Sequence, residues 1–154
     1  MGNMLHTLTM ARADIVAHHG CQLLASSRLY TTAPIGGPEQ GDYLNGVIQI
    51  KTSEQPMPLL QRLLEIERTY GRERLVHWGA RTLDLDLIAY DDQMITSERL
   101  TLPHPRMHER LFVLEPLHDI VPHWIHPTKH LSLQAMRKKL RHQQRIELAQ
   151  AQWP

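Results

Sequence analysis

The feature that most constrains the fold is an alternation of leucine and aspartate in the middle of the chain. Leu83, Leu85 and Leu87 fall on one parity, whereas Asp84 and Asp86 fall on the other. Successive side chains of a strand point to opposite faces. The pattern therefore predicts a strand whose leucines enter a core and whose two carboxylates project side by side from the opposite face.

This pair of carboxylates has two interpretations. A D-x-D pattern is common, and the first interpretation is a half-buried antiparallel strand with a solvated acidic face. The second is a cation site, because a bound ion would remove the repulsion between the like charges. Mg²⁺ usually binds one or two carboxylates together with substrate phosphates, and Arg72, Arg74 and Arg81 would supply positive charge for such phosphates. The spacing alone leaves both interpretations open.

The composition is that of one globular domain spanning residues 1–154. A chain of 154 residues can bury a real core, and a formal net charge of +1 excludes a bulk polycation. The single cysteine, Cys21, excludes an internal disulfide framework and leads us to expect a cytoplasmic protein. We expect neither a membrane helix nor a signal peptide, because no apolar run has membrane-spanning length and the first residues lack a charged region followed by an apolar one.

The first third of the chain predicts a helix and a hairpin. Asn3 is expected to cap a helix that ends at Gly20, with the histidine pair 18–19 in its last turn. Residues 22–32 and 43–52 have the alternation of strands, and a loop rich in glycine and proline separates them. We expect these two strands to pair as a long-looped hairpin.

The remainder predicts shorter elements. A second helix is expected to begin near Pro56 and end at Gly71. The aspartate-bearing strand follows, then a turn at 91–92 and a short strand at 94–95. Residues 131–150 are expected to form a peripheral helix with a solvated basic patch at 137–141. This order predicts an α+β fold with helices on one face of a mostly antiparallel sheet.

Several motifs together resemble the 6-hydroxymethyl-7,8-dihydropterin pyrophosphokinase family. They are W-G-A-R-T-L-D-L-D at 78–86, L-T-L-P-H at 100–104, R-L-F at 110–112, Y-T-T-A-P at 30–34 and D-Y-L-N at 42–45. The resemblance extends from about residue 3 to about residue 126 and implies a ferredoxin-like sandwich. That fold opens with one more strand, and we expect that strand to be missing from this sequence. We expect the true start to lie upstream; the alternative is a fold that has lost a strand.

The resemblance also implies a reaction. Members of the family move pyrophosphate from ATP to the hydroxymethyl group of a reduced pterin, in folate biosynthesis, and leave AMP. The residues agree with this class, because the sequence has no evident acyl-transfer nucleophile and phosphoryl-type transfer needs chiefly alignment, metal and positive charge. No P-loop motif is present, so ATP would be held by another route.

By matched position, the resemblance assigns three groups of side chains. Asp84 and Asp86 resemble the ligands of two Mg²⁺ ions, and the catalytic group also includes Arg72, Arg74 and Arg81. The expected pterin-binding residues are Thr32, Ile35, Tyr43, Asn45 and Phe112. The expected ATP-binding residues are Trp78, Arg99, Thr101, His104 and Arg110.

The chemistry of the pterin group fits these roles. A flat heteroaromatic ring gains from stacking between two aromatics, here Tyr43 and Phe112. The amide of Asn45 offers both a donor and an acceptor to the ring edge. The simpler alternative is that both aromatics belong to the core. His104 could likewise be an ordinary loop histidine, and Glu67 a solvated charge or a supporting residue.

Two other classes of function compete with this interpretation. A ferredoxin-like sheet can bind RNA through aromatics on its central strands, but the corresponding strand here carries aspartates, which repel phosphate. A non-catalytic remnant, disabled by the missing strand, is the other alternative. The expected partners are small molecules, ATP and the reduced pterin, with no nucleic acid and no membrane, and the protein is expected to be a monomer.

Overall fold

The computed structural model describes residues 2–32, 43–77 and 83–154, and the side chains of residues 2 and 72–77 lie outside that description. The helices of the described part are α1 (Gly2–Val16), α2 (Pro56–His77), α3 (Leu111–Ile120) and α4 (Leu133–Leu140). The strands are β1 (Cys21–Ser26), β2 (Leu29–Thr32), β3 (Tyr43–Asn45), β4 (Ile48–Thr52), β5 (Ile95–Thr96), β6 (Thr101–Leu102) and β7 (Glu147–Gln150). The α+β class is confirmed, whereas the ferredoxin-like sandwich and the missing first strand stay predictions.

The first helix differs at both ends from its prediction. Asn3 lies inside α1 rather than at its cap, and α1 ends four residues before Gly20. Gly20 has a φ of 81° and serves the turn into β1 instead, where its carbonyl accepts a hydrogen bond from the Ser53 amide at 3.1 Å. A Cβ at Gly20 would clash with Ser53 Oγ, and L side chains rarely adopt this positive φ, so the turn favours glycine. The histidine pair 18–19 therefore follows the helix and is not in its last turn.

The predicted hairpin is confirmed, but each of its strands is interrupted once. β1 pairs with β4 and β2 pairs with β3, both antiparallel. The interruption is held by Ser27, which is 2% exposed. Its amide donates to the Val47 carbonyl at 2.9 Å, and its hydroxyl accepts from the Val47 amide at 2.8 Å. The serine side chain thus replaces one step of the ladder.

The second helix runs past Gly71, which was wrongly expected to end it. A glycine ends a helix by adopting a left-handed conformation, but Gly20 is the one glycine with positive φ in the described part. Glycine inside a helix costs only about 1 kcal/mol relative to alanine. The apolar face of α2 contributes Leu59 and Leu63 to a core that also contains Ile15 of α1.

The segment from Leu83 to Tyr90 is not a strand, which corrects the central prediction. Its alternation survives: Leu83 is buried, and Asp84 and Asp86 are exposed. A strand also needs a neighbouring ladder, and the described residues do not provide one. The Leu85 amide instead donates to Glu67 Oε2 of α2 at 2.6 Å. The apolar pattern therefore predicted the faces of the segment correctly but not its pairing.

The predicted helix over residues 131–150 is also wrong beyond its first half. Ser132 caps α4 by accepting from the Ala135 amide at 3.1 Å, and the helix ends after eight residues. Turn hydrogen bonds from the amides of Gln143 and Gln144 to the Leu140 carbonyl then reverse the chain. β7 pairs antiparallel with β2, giving a three-stranded sheet in the order β3-β2-β7. Strand pairing with a distant edge thus overrides the local helical pattern.

The expected solvated basic patch at 137–141 is partly buried. Arg137 is 8% exposed, and its Nε lies 3.0 Å from Glu115 Oε1 on α3. This ion pair joins α3 to α4 above a core formed by Met107, Leu114 and Leu133. Among the described residues, no helix is long and apolar enough to cross a membrane.

Candidate active site

The two aspartates project from an extended segment that is anchored on its other face. Leu85 and Leu87 pack against the core of α1 and α2, while Ile88 contacts the core of α3 and α4. The segment therefore runs between the two cores. Asp84 and Asp86 share the parity of Ile88 and remain exposed, and Asp86 faces the α3 side, where it lies near Arg110.

Asp86 lies beside a residue that sequence reasoning assigned to ATP. Arg110 Nη1 is 4.0 Å from Asp86 Oδ2, and both side chains are partly exposed. Arg110 is also the residue that precedes α3, and its guanidinium carbon is 5.6 Å from the centre of the Phe112 ring. One cationic side chain thus joins an acidic residue of the expected metal site to an aromatic of the expected pterin site.

His104 belongs to the same group of side chains. Burial lowers the pKa of His104, and the nearby charges of Arg110 and Arg106 lower it further, while Asp86 opposes them. His104 Nδ1 accepts a hydrogen bond from the Arg106 amide at 3.2 Å. A neutral imidazole with an accepting Nδ1 carries its proton on Nε2. His104 therefore presents a neutral N–H donor near Asp86 at neutral pH.

The expected pterin residues on the hairpin are held in register by β-pairing. Thr32 and Tyr43 are cross-strand partners, and Asn45 opposes Tyr30. The amide of Asn45 donates to Thr32 Oγ1 at 3.1 Å, so its orientation is fixed before any ligand binds. Tyr43 is 39% exposed and is therefore not a core residue.

Phe112 occupies an intermediate position between core and site. It is partly buried and packs against the core of α3 and α4. The helix that carries it contacts both β2 and β3. Phe112 and Tyr43 are therefore on two elements that pack against each other, as a slot for a flat ring would require, and Phe112 also contributes to the core.

The remaining expected residues are less informative. Arg99 is exposed before β6 and Thr101 opens that strand, and the described contacts connect neither to Asp86. Arg72 and Arg74 lie on the backbone of α2, but their side chains are outside the described part. Ile35, Trp78 and Arg81 lie outside the described residues altogether.

Two residues near the site were missed or left undecided. Arg106 was missed, although its amide orients His104; an arginine two residues after that histidine, in a proline-containing turn, was the available signal. The role of Glu67 was left undecided. In the structure its carboxylate accepts a hydrogen bond from the amide of Leu85, the residue between the two aspartates. Glu67 therefore helps to position the backbone of the segment that carries Asp84 and Asp86.

The donor set of the site suits a hard divalent cation. Within residues 2–32, 43–77 and 83–154, no group of three or more histidine, cysteine, aspartate or glutamate side chains could hold a metal ion. Two exposed carboxylates on one face are nevertheless the usual protein share of a Mg²⁺ site that substrate phosphates complete.

Comparison with known proteins identifies a family. Residues 1–122 match the family described as 7,8-dihydro-6-hydroxymethylpterin-pyrophosphokinase (HPPK). A relative from Synechocystis sp., named 2-amino-4-hydroxy-6-hydroxymethyldihydropteridine pyrophosphokinase, is 45% identical over 127 residues, 82% of this chain and 65% of the relative. Relatives of the same name from Haemophilus influenzae and Bacillus subtilis are 40% and 43% identical, over 82% and 73% of this chain and 78% and 68% of their own lengths.

Proposed function

The chain belongs to the 7,8-dihydro-6-hydroxymethylpterin-pyrophosphokinase family, the pyrophosphokinases of folate biosynthesis, and we propose that it carries out their reaction. It transfers pyrophosphate from ATP to 6-hydroxymethyl-7,8-dihydropterin and releases AMP. The observation that best supports this proposal is the position of Arg110 between Asp86 and Phe112. A phosphate held by Arg110 would lie next to both the acidic pair and the pterin side.

Asp84 and Asp86 are the proposed ligands of Mg²⁺, with two ions expected. When bound, the metal supplies positive charge to the transferring phosphates. The role of the protein is to hold the two carboxylates side by side, and the leucines and Glu67 do so by fixing the opposite face of the segment. The carboxylates are exposed, so ATP phosphates can complete the coordination.

The pterin is proposed to lie between Tyr43 and Phe112. Asn45 would read the ring edge with its carbonyl oxygen, since its Nδ2 already donates to Thr32 Oγ1 and to the backbone carbonyls of Tyr30 and Tyr43. This arrangement orients the amide and lowers the entropy cost of binding. Ile35 completes this proposed pocket.

ATP is proposed to bind through cations and donors rather than through a P-loop. Arg110 and the neutral N–H of His104 face the side of Asp86. The other proposed contacts are Arg72, Arg74, Trp78, Arg81, Arg99 and Thr101. Preorganised charge of this kind stabilises the transition state of phosphoryl-type transfer.

The proposal includes small-molecule partners only. In the basic patch at 137–141, which could attract nucleic acid, the charge of Arg137 is paired with Glu115. The exposed carboxylates of Asp84 and Asp86 would repel a phosphate backbone. The single cysteine suits a reducing compartment, and we place the enzyme in the cytoplasm. The monomeric state stays a prediction.

The products of the reaction test the proposal. The protein is incubated with ATP and Mg²⁺, with and without 6-hydroxymethyl-7,8-dihydropterin, and the nucleotides are separated by chromatography. AMP formed only in the presence of the pterin is the expected result. ADP and phosphate would contradict pyrophosphoryl transfer, and no turnover together with pterin and ATP binding would favour the non-catalytic alternative.

A further inference from the structure

A hydrogen-bonded cluster away from the acidic pair joins β2 to the end of α3. Tyr30 of β2 is 5% exposed, and its hydroxyl donates to Asp119 Oδ2 at 2.8 Å. Arg28 binds the same carboxylate from two sides: its Nη2 donates to Oδ1 at 2.8 Å and its backbone amide donates to Oδ2 at 3.2 Å. Asp119 lies in the last turn of α3, with its side chain 12% exposed.

The cluster links the two walls of the proposed pterin slot, because α3 carries Phe112 and β2 is paired with β3, which carries Tyr43 and Asn45. Tyr30 is the cross-strand partner of Asn45, and its carbonyl accepts from Asn45 Nδ2 at 3.4 Å. At the other end of the link, Asp119 belongs to the helix that begins at Leu111 and contains Phe112. Tyr30 thus contacts Asn45 through its backbone carbonyl and contacts α3, the helix that carries Phe112, through its hydroxyl.

Resting on the proposed function, we propose that the Tyr30–Asp119 hydrogen bond holds α3 against the hairpin and thereby sets the separation of Phe112 from Tyr43. Tyr30 and Asp119 are positioning residues, since neither is part of the proposed contact set for pterin or ATP. Rigid helices and strands transmit the position of one end of α3 to the other.

The chemistry of the cluster suits a fixed link. Burial, followed by the hydrogen bond to Asp119, raises the pKa of Tyr30 to about 12. The phenol therefore stays protonated and donates to a carboxylate, which is a strong class of hydrogen bond. If the hydroxyl is removed, Asp119 keeps its hydrogen bonds from Arg28. Tyr30→Phe is thus a small change that leaves no unpaired buried charge.

The test compares two tyrosine-to-phenylalanine variants of the full chain. Tyr90→Phe is the matched control, because its hydroxyl donates to the Glu54 carbonyl at 2.6 Å just beyond the end of β4, in the core of α1 and α2 rather than beside β2, β3 or α3. Calorimetric titrations measure the dissociation constants of 6-hydroxymethyl-7,8-dihydropterin and of Mg²⁺–ATP separately, with a melting curve for each variant.

We expect Tyr30→Phe to weaken pterin binding about fivefold, within the range of coupling between contacting residues, with Mg²⁺–ATP affinity within about twofold of the wild type. Tyr90→Phe should lower the melting temperature but leave pterin affinity unchanged. Unchanged pterin affinity in Tyr30→Phe, or an equal loss in both variants, would overturn the inference.

A double-mutant cycle with Phe112→Leu separates positioning from general loosening. If Tyr30 acts by placing the Phe112 ring, Tyr30→Phe should cost much less pterin affinity in the Phe112→Leu background. An equal loss of pterin affinity in both backgrounds would contradict the inference but would leave the proposed function unaffected. A wild-type protein that binds no pterin would instead overturn the proposed function itself, and the inference with it.

Discussion

Arg110 Nη1 lies 4.0 Å from Asp86 Oδ2, although 24 positions separate the two residues in the chain. The guanidinium carbon of Arg110 is also 5.6 Å from the centre of the Phe112 ring. A planar cation in this position can contact phosphate on one side and an aromatic face on the other. The metal side and the pterin side of the proposed site therefore share one residue.

Arg110→Lys tests that shared role. Lysine keeps the charge but loses the planar fork and the stacking surface, so we expect kcat/KM to fall roughly tenfold, a loss of about 1.4 kcal/mol of transition-state stabilisation. Arg106→Lys is the matched control, because the Arg106 side chain is 66% exposed and pairs only with Glu109 among the described residues. Equal activities of the two variants would remove Arg110 from the site.

Thr32→Val tests whether the orientation of Asn45 contributes to pterin binding. Valine has the shape of threonine but cannot accept a hydrogen bond from the Asn45 amide. We therefore expect the free energy of pterin binding to weaken by about 0.5–1.5 kcal/mol. Thr96→Val, an exposed strand position in β5, is the control. Titration of the pterin against both variants is the measurement, and unchanged affinity in Thr32→Val would show that Asn45 needs no such support.

The ion pair of Arg137 makes a prediction about stability. Arg137→Ala removes the hydrogen-bonded partner of Glu115 and leaves that carboxylate only the longer contact to Arg141 Nε at 4.0 Å. We therefore expect the free energy of unfolding to fall by about 2 kcal/mol, as for a lost hydrogen bond to a charged group. The adjacent Lys138 is exposed, and Lys138→Ala should change it by less than about 0.5 kcal/mol. Urea denaturation of both variants distinguishes the paired arginine from a solvated helix face, for which the two losses would be alike.

The pH dependence of stability should include a contribution from His126. This side chain is 4% exposed, and its Nδ1 accepts from the amides of Thr128 and Lys129. Burial first, and then the charges of Lys129, His108 and His130, lower its pKa below the ordinary value of 6.5. Between those two pKa values the unfolded chain binds the proton and the folded protein does not. Stability is therefore complete above about pH 6.5 and falls as the pH decreases.

The measurement is the urea midpoint between pH 7.5 and pH 5.5. A single proton contributes a slope of up to about 1.4 kcal/mol per pH unit. His126→Asn retains a neutral acceptor near the two amides, so its slope should be shallower than that of the wild type. Identical slopes would show that other groups account for the acid sensitivity.

Local patterns predicted those parts of the fold that depend on local interactions. The hairpin followed from alternation on both sides of a loop, and the faces of Asp84 and Asp86 followed from their parity with the leucines. The pairing of the aspartate segment could not be predicted in the same way, because a strand also requires a neighbour that the local pattern does not specify. β7 shows the opposite case: its residues have a spacing that favoured a helix, yet they form a strand because they pair with the edge of β2.

The site shows the same division. The motif resemblance assigned Asp86 to the metal and His104 and Arg110 to ATP, and the structure places these three side chains near one another. The link from Tyr30 to Asp119 was not predictable, because it joins residues 89 positions apart through one hydroxyl. Burial of Arg137 was missed for a similar reason: its partner Glu115 lies on another helix.

The most direct test of the account is the activity of Asp84→Asn and Asp86→Asn, measured as AMP formed in a single turnover with saturating ATP, Mg²⁺ and pterin. Asp92→Asn, an exposed aspartate in the following turn, is the matched control. Asparagine keeps the shape but loses the charge proposed to bind the metal, so we predict that turnover falls by orders of magnitude in both variants while pterin affinity is retained. Turnover within a few fold of Asp92→Asn, or a parallel loss of pterin binding and melting temperature, would contradict catalysis by this acidic pair.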